Sequence, residues 1–456
     1  MRNLRSIYKN KINKTEISLV GIGMGSSNSF SLEAINTCLE ADLLIGAGRM
    51  LEAVEKLREE LLDEEDSKEE TSKKAPWDSL EEYRPQEIAN YIRNHPEYHN
   101  VAVVLSGDVG FYSGAKKLKT ALEEDEILSQ RGIEISLLPG ISSVVYFAAK
   151  LGVSWEDAAF ASIHGREDNV VGIVRDHEKN FVLAGGSEGI KKLLDKLTYY
   201  NFENLKIYLG LDFSYDSEEI IDLTKKEESG FLKVMKKSSL ALLYIQNPHR
   251  GNAPLTAGIP DGAFLRGKVP MTKEEVRSVS LSKMHLKKDS IVYDIGAGTG
   301  SISLEAAILA SKGKVYAVEC NPEAVNLIKE NAKKFQVDNL AVTEGMAPEA
   351  MENLPAPDIV FIGGSKGHLK EILQVVKKKT TKARIVINAI TLETLTEALK
   401  CCKEFPVTDD EIIELSVSKS SSIGNYHMMK AHNPIYIISF TLLALETEVE
   451  EGKEGK

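Results

Sequence analysis

The chain predicts an α/β protein built as two successive α/β units. Three observations carry that prediction. Short apolar runs ending in glycine or proline turns alternate with helical patterns along the chain. The alternation breaks at NPHRGNAPLTAG, from Asn247, and then restarts. Each half carries its own glycine-rich turn directly after its first strand-like run, SLVGIGMGSSNSF near the N-terminus and YDIGAGTGSISLEAA from Tyr293.

In the first half, EISLVG (Glu16 to Gly21) reads as a buried strand. VAVVLSGD at Val101, IEISLLPG at Ile133, FVLAGG at Phe181, LKIYLGL at Leu205 and LALLYIQ at Leu240 are further strand-like runs. Continuous apolar runs of this length fit fully buried strands of a mostly parallel sheet. REELLDEEDSKEETSKK, from Arg58 to Lys74, reads as a solvated loop or frayed helix. In the second half the runs are IVYDIG, KVYAVE, LAVTEG, DIVFIGG, ARIVINAI, EIIELSVS and PIYIISFTLL. The first five alternate with helical patterns as in a doubly wound sheet. The last two have little helix between them, so one is expected to run antiparallel in a mostly parallel seven-stranded sheet. The expected organisation is a domain over 1–248, a linker over 249–257, a second domain over 258–445 and a polar, disordered tail over 446–456.

With 456 residues the chain is long enough for two or three cores. The formal net charge of −12 gives nucleic-acid binding no global support. No apolar run is long and charge-free enough to span a bilayer. The basic N-terminus lacks the apolar core of a signal peptide, so a cytoplasmic location is expected. Cys38, Cys320, Cys401 and Cys402 form no CxxC pair and read as free buried thiols. The nine histidines show no ligand spacing, so no protein-bound metal is expected.

In the second half, Asp294, Gly296, Gly298 and Gly300 form D-x-G-x-G-x-G at a strand end. Glycine there lets the backbone approach a ligand. A dinucleotide fingerprint needs another glycine where Ser301 stands, so that reading fails. The next strand ends in Glu319, whose carboxylate can accept from two ribose hydroxyls. The third leads to Met346 and Ala347, placed to border an adenine. The set points to an adenosine ligand without a pyrophosphate. The bland alternative is a turn that only packs a helix on a sheet. Upstream, Thr272 and Glu275 read as a T-x-x-E capping box, with Thr272 also available to close over the ligand.

This combination resembles the Rossmann-like S-adenosylmethionine-dependent methyltransferases. The resemblance implies S-adenosyl-L-methionine as cofactor, held by Thr272, Gly296, Ala297, Gly298, Thr299, Gly300, Glu319, Met346 and Ala347.

The N-terminal turn has Gly21, Gly23 and Gly25, with Ser26 where a dinucleotide glycine would stand. VVLSGDVGFYSGA, LLPGISSVVYFAAKLGVSWED and ASIHGR follow in order. Together they resemble the tetrapyrrole (corrin and porphyrin) methyltransferase family. That resemblance implies a two-lobed fold binding S-adenosyl-L-methionine through Gly21, Gly23, Gly25, Gly107, Asp108, Pro139, Ser142 and Ser143. Met24 and Val109 stand where the family often has proline. His164 reads as a packed turn residue and Arg166 as a candidate for substrate carboxylates.

The order of the two halves, joined through GIPDGAFLRGKVPMTKEEVRS, resembles the bifunctional, decarboxylating precorrin-6Y C(5),C(15)-methyltransferase family of cobalamin biosynthesis. The resemblance implies methylation of a tetrapyrrole at carbon 5 by the first half. It assigns to the second half methylation at carbon 15 and decarboxylation of the ring C acetate. It also implies a homo-oligomer and leaves open whether the macrocycle carries cobalt. An acidic protein with a polycarboxylate substrate needs locally basic site mouths; Arg49, Arg166 and Lys366 are the candidates, with Arg266, Lys268 and Lys419 near other turns. The rival readings are a methyltransferase for another substrate and a non-catalytic S-adenosylmethionine sensor.

Overall fold

The structure, a computed structural model, describes residues 14–65, 78–163, 168–224, 241–251 and 256–444. His164, Arg166, the end of the acidic stretch from Asp66, residues 252–255 of the expected linker and the tail lie outside the described residues.

The first sheet contains β1 (Glu16–Gly21), β2 (Leu43–Gly46), β3 (Asp78–Glu81), β4 (Asn100–Leu105) and β5 (Glu134–Leu138), in the order β3-β2-β4-β1-β5. Every pairing in it is parallel. Neighbouring residues of a strand point to opposite faces, so each apolar run feeds two cores. Ile17, Leu19, Leu43, Ile45, Val101 and Val103 pack with the Pro85–Asn94 and Ala115–Glu123 helices. Val20, Leu44, Ala102 and Val104 pack with the Leu32–Glu40 and Gly48–Glu65 helices.

A second five-stranded sheet contains β6 (Ala159–Ser162), β7 (Lys179–Ala184), β8 (Lys206–Leu211), β9 (Glu219–Asp222) and β10 (Ala241–Gln246), in the order β6-β7-β10-β8-β9. β2, β3, β6 and β9 escape the sequence reading because each is four residues long, too short for a periodic signal.

The third sheet contains β11 (Ile291–Ile295), β12 (Lys314–Glu319), β13 (Leu340–Glu344), β14 (Ile359–Ile362), β15 (Lys382–Ala389), β16 (Val407–Leu415) and β19 (Ile435–Leu443). Its order is β13-β12-β11-β14-β15-β19-β16. The five strands from β11 to β15 are parallel, and β19 runs antiparallel between β15 and β16. The expected seven strands and single reversal are present. A hairpin, β17 (Ser418–Ile423) with β18 (Tyr426–Ala431), stands between the last two strands and was not expected. Its serines, lysines and histidine give no apolar alternation to read.

Helix faces follow the same chemistry. The Leu369–Lys379 helix buries Leu369, Ile372, Leu373 and Val376, one stripe at helical spacing. The Pro322–Lys334 helix opens on proline with Asn321 capping Glu323 N–H and ends on Lys333 and Lys334, as its dipole favours. The Ser301–Leu309 helix is buried nearly all round.

The described chain forms two compact units. One takes the described residues within Met1–Ala158, Leu183–Gly186 and Ile207–Tyr244, the other those within Ala159–Val182, Ser187–Lys206 and Ile245–Lys456.

Candidate active site

Parallel sheets present ligand sites at the carboxyl ends of their strands, where the order of connection reverses. In the seven-stranded sheet that reversal lies between β11 and β14, and a cavity of about 710 Å³ opens there. Thr272, Gly296, Ala297, Gly298, Glu319, Met346, Ala347 and Lys366 all line it. Residues drawn from five separate stretches of sequence therefore meet at one opening. Thr299 and Gly300 are not among the lining residues. Thr299 is buried with no partner for its hydroxyl, and Gly300 stands at the start of the Ser301–Leu309 helix.

Gly296 and Gly298 have φ of 72° and 58°. A Cβ on Gly296 would lie 2.7 Å from the Gly364 carbonyl oxygen, and one on Gly298 would lie 2.9 Å from that of Pro270. The turn is therefore bare for two reasons: left-handed backbone and walls on both sides. Glu319 fixes it from the neighbouring strand. One carboxylate oxygen accepts Gly298 N–H at 2.9 Å, and the other accepts Cys320 and Asn321 N–H, each at 2.9 Å. Oε1 also receives the Cys320 thiol at 3.6 Å, so of the roughly four acceptor sites of a carboxylate one, on Oε2, remains for a ligand hydroxyl.

Asp294, beneath the turn, is 1% exposed. Burial pushes its carboxyl up to about 7, against the hydrogen bond from Ser303. Its other oxygen, Oδ1, has no partner.

The strap before the Glu274–Met284 helix forms another wall. The expected Thr272–Glu275 capping box is absent. The helix starts at Glu274 with Lys273 as its cap residue, and no side chain of the cap bonds back. Asp261 takes the cap's role by accepting Glu274 N–H at 3.0 Å, while Glu275 is drawn to Lys419 at 2.5 Å. Thr272 instead offers its carbonyl to Arg277 Nη1 at 2.6 Å. Arg277 is fully buried; its Nε meets Glu305 at 2.5 Å and it also contacts Asp261 and the Ile259 carbonyl. Glu305 closes the network by accepting Gly258 and Ile259 N–H at 2.7 and 3.0 Å. Asn331 clamps the strap further along, through both backbone groups of Leu265, and also donates to the Thr299 carbonyl. The sequence reading missed Arg277 and Glu305. Their signal was a charge inside a helical run that is otherwise apolar or small, SISLEAAIL above all.

Lys366 lies on the loop after β14 with φ of 50°, and its ammonium reaches Cys320 Sγ at 3.1 Å. That hydrogen bond raises it above the ordinary lysine value. Lys419 is committed to Glu275. There burial pushes the carboxyl up but Lys419 and backbone bonding pull further, leaving it below the ordinary value.

In the first sheet, the turns after β1, β4 and β5 meet. A Cβ on Gly140 would lie 2.3 Å from the Gly107 carbonyl oxygen and 2.6 Å from that of Gly21, so backbone here touches backbone. Gly23 and Gly107 exchange two backbone hydrogen bonds of 2.6 and 3.2 Å. Asp108 accepts Gly110 and Gly140 N–H at 2.8 and 3.1 Å, tying the second turn to the third. Pro139 is exposed beside them, and Ser142 caps the Ser143–Leu151 helix by accepting Val145 N–H. Gly25 faces the Tyr215 hydroxyl, which is buried without a partner. Glu218 steadies that loop through Tyr146, Ser214 N–H and Lys150. Arg49 is exposed in the first turn of the Gly48–Glu65 helix.

Residues 16–227 match the family of Tetrapyrrole (Corrin/Porphyrin) Methylases, and residues 263–442 match the Precorrin methyltransferase domain. A curated protein of Salmonella typhimurium, the cobalt-precorrin-6B C(15)-methyltransferase (decarboxylating), is 37% identical over 181 residues, 39% of this chain and 93% of its own length. The "Probable cobalt-precorrin-6B C(15)-methyltransferase (decarboxylating)" of Pyrobaculum calidifontis is 42% identical over 187 residues, 40% of this chain and 95% of its own. The chain belongs to the decarboxylating cobalt-precorrin-6B C(15)-methyltransferase family. Among solved structures, a precorrin-6y C5,15-methyltransferase from Geobacter metallireducens is 41% identical, covering 42% of this chain and 99% of its own, with a TM-score of 0.40.

As a member of this family the chain is a methyltransferase that uses S-adenosyl-L-methionine. The bare, walled turn and the Glu319 carboxylate fit that cofactor: the turn admits backbone contact without a Cβ, and the carboxylate keeps free acceptor capacity. Among the described residues, no helix is long and apolar enough to cross a membrane.

Proposed function

We propose that the chain methylates a precorrin or cobalt-precorrin at carbons 5 and 15 and removes the ring C acetate carboxylate as carbon dioxide. Carbon 15 and the decarboxylation belong to the C-terminal half, over 258–445, and carbon 5 to the N-terminal half, over 1–248, joined by a linker over 249–257. The carrying observation is the convergence of the Gly296–Gly298 turn, Glu319, Met346 and Thr272 on one cavity. The N-terminal assignment rests on the match of residues 16–227 to the tetrapyrrole methylases and on the meeting of Gly21, Gly107 and Gly140.

S-adenosyl-L-methionine supplies an electrophilic methyl group when bound. In the C-terminal half Glu319 would hold its ribose, Met346 and Ala347 would border its adenine, and the Gly296–Gly298 backbone and Thr272 would close on its methionine end. Reduced tetrapyrroles have nucleophilic bridge carbons, so alignment and exclusion of water are the main demands on the protein. The strap held by Arg277 supplies the closure. Lys366 would meet a peripheral carboxylate of the macrocycle. In the N-terminal half Gly21, Gly23, Gly25, Gly107, Asp108, Pro139, Ser142 and Ser143 would line the second cofactor site, with Arg49 and Arg166 toward substrate. The reading includes a cytoplasmic homo-oligomer.

The test is mass spectrometry of the product from purified precorrin-6Y or cobalt-precorrin-6B with S-adenosyl-L-methionine. Gain of methyl groups together with loss of carbon dioxide is expected. Unchanged mass with both macrocycles would refute the reading.

A further inference from the structure

The cavity extends past the Gly296–Gly298 turn to the ends of β14 and β15, where Asn388 lies. Asn388 is 8% exposed, and its Oδ1 lies 3.0 Å from Ser280 Oγ. Ser280 Oγ also lies 2.8 Å from the Val276 carbonyl. A hydroxyl has one proton to give. The Ser280 hydroxyl donates to the Val276 carbonyl and, in a shared arrangement, to Asn388 Oδ1. That leaves the Asn388 Nδ2 hydrogens, which are buried and have no partner. A buried amide left unsatisfied destabilises a fold, and one beside a cavity calls for a ligand acceptor. The same cavity is lined by Val276, Leu415, Val417 and Ile435, together with His432, Asn433 and Lys273.

We propose that Asn388 binds and orients the substrate carboxylate that is lost, with Ser280 holding the amide so that its N–H faces the cavity. The inference rests on the decarboxylating reading above. In that step the bond between the exocyclic CH₂ and the carboxylate carbon breaks. Its electron pair passes into the conjugated macrocycle, carbon dioxide leaves, and the CH₂ carbon takes a proton from water to become a methyl group. No oxidant or reductant is required. The carboxylate loses its charge along the way, so a cation bound to it would hold back the reaction. A neutral amide fixes direction without adding a positive charge of its own.

The experiment uses the full chain with cobalt-precorrin-6B, trapping carbon dioxide and counting methyl groups in the same reaction. Asn388→Leu should lower carbon dioxide release about tenfold or more, the effect of losing a hydrogen bond to a charged group. Affinity for S-adenosyl-L-methionine should stay within about threefold, and methyl transfer to a macrocycle already lacking that carboxylate should persist. Asn388→Asp, which sets a carboxylate against a carboxylate, should be worse than leucine and decides the matter if the leucine variant does not fold. Ser280→Ala should raise KM for the macrocycle more than it lowers kcat. Unchanged carbon dioxide release in Asn388→Leu, or a parallel fall in release, methyl transfer and cofactor affinity, overturns the proposal. Wild type that releases no carbon dioxide overturns the functional reading and this inference with it.

Discussion

Arg277 and Glu305 form a buried ion pair, Nε to Oε1 at 2.5 Å, with both side chains essentially inaccessible. The pair does more than neutralise itself. Arg277 reaches the carbonyls of Thr272 and Ile259, and Glu305 takes the N–H groups of Gly258 and Ile259. The segment that walls the cavity is thus fastened to the helix behind the glycine turn by charge-assisted bonds. Removing one partner leaves a buried charge without compensation, at about 3–5 kcal/mol. Arg277→Ala should destabilise the C-terminal half by that amount in urea unfolding and weaken its cofactor binding. A change below about 1 kcal/mol would show that the network does not hold the strap.

Glu319 shapes the glycine turn and, on the proposed function, also holds the ribose, and two variants test it. Its carboxylate already accepts three backbone N–H groups, shaping the turn before any ribose arrives. Glu319→Ala removes both shape and acceptors; Glu319→Gln keeps the length but points donors at donors. Calorimetric titration should show affinity for S-adenosyl-L-methionine lowered on the order of tenfold or more in each, from bonds worth about 1.5–3 kcal/mol apiece. The N-terminal site should be unaffected. Full retention of affinity in both variants would place the ribose elsewhere.

The seven-stranded sheet was legible because its strands are long apolar runs separated by turns, and IVYDIG, KVYAVE and ARIVINAI fall on β11, β12 and β15 with few residues' error. Most of the residues expected to hold a ligand in the C-terminal half meet at the cavity for a related reason: they sit at strand ends, and strand ends are what alternation locates. Long-range partners were not legible. Nothing local tells Asp261 to cap a helix thirteen residues later, or Glu275 to leave its own helix terminus for Lys419 across the fold. The T-x-x-E pattern was a sound local rule overruled by a stronger partner in space. Asn388 hid at the end of an apolar strand, where a polar residue looks like a boundary.

Asp294 should give the protein a recognisable pH dependence. Burial raises its carboxyl from an ordinary value near 3.8 to about 7, so the folded state holds a proton that the unfolded chain releases. Its contribution to stability is fully present below about pH 4 and is lost as pH rises through about 7. The slope has a ceiling of about 1.4 kcal/mol per pH unit. Asp294→Asn is neutral throughout. Its stability relative to wild type should therefore improve from pH 5 to pH 8 in urea unfolding, and a difference independent of pH would mean that Asp294 is charged in both states.

The two halves should be separable by two glycines within one intact chain. Gly298 has φ of 58° and no room for a Cβ before the Pro270 carbonyl, and Gly23 has φ of 67° with Ser29 Oγ 2.6 Å from where a Cβ would stand. A valine at either combines backbone strain of about 1–3 kcal/mol with a filled turn. The wild-type chain should bind two molecules of S-adenosyl-L-methionine by calorimetric titration, and each variant one. Gly298→Val should make neither the carbon 15 methyl nor carbon dioxide while keeping the N-terminal site. Gly23→Val should lose one methylation and still release carbon dioxide from a macrocycle that already carries the carbon 5 methyl, which removes any dependence on the order of the steps. Product mass reads both outcomes, since a methyl gained and a carboxyl lost are distinct. Carbon dioxide release that survives Gly298→Val but fails in Gly23→Val would reverse the assignment of the two halves.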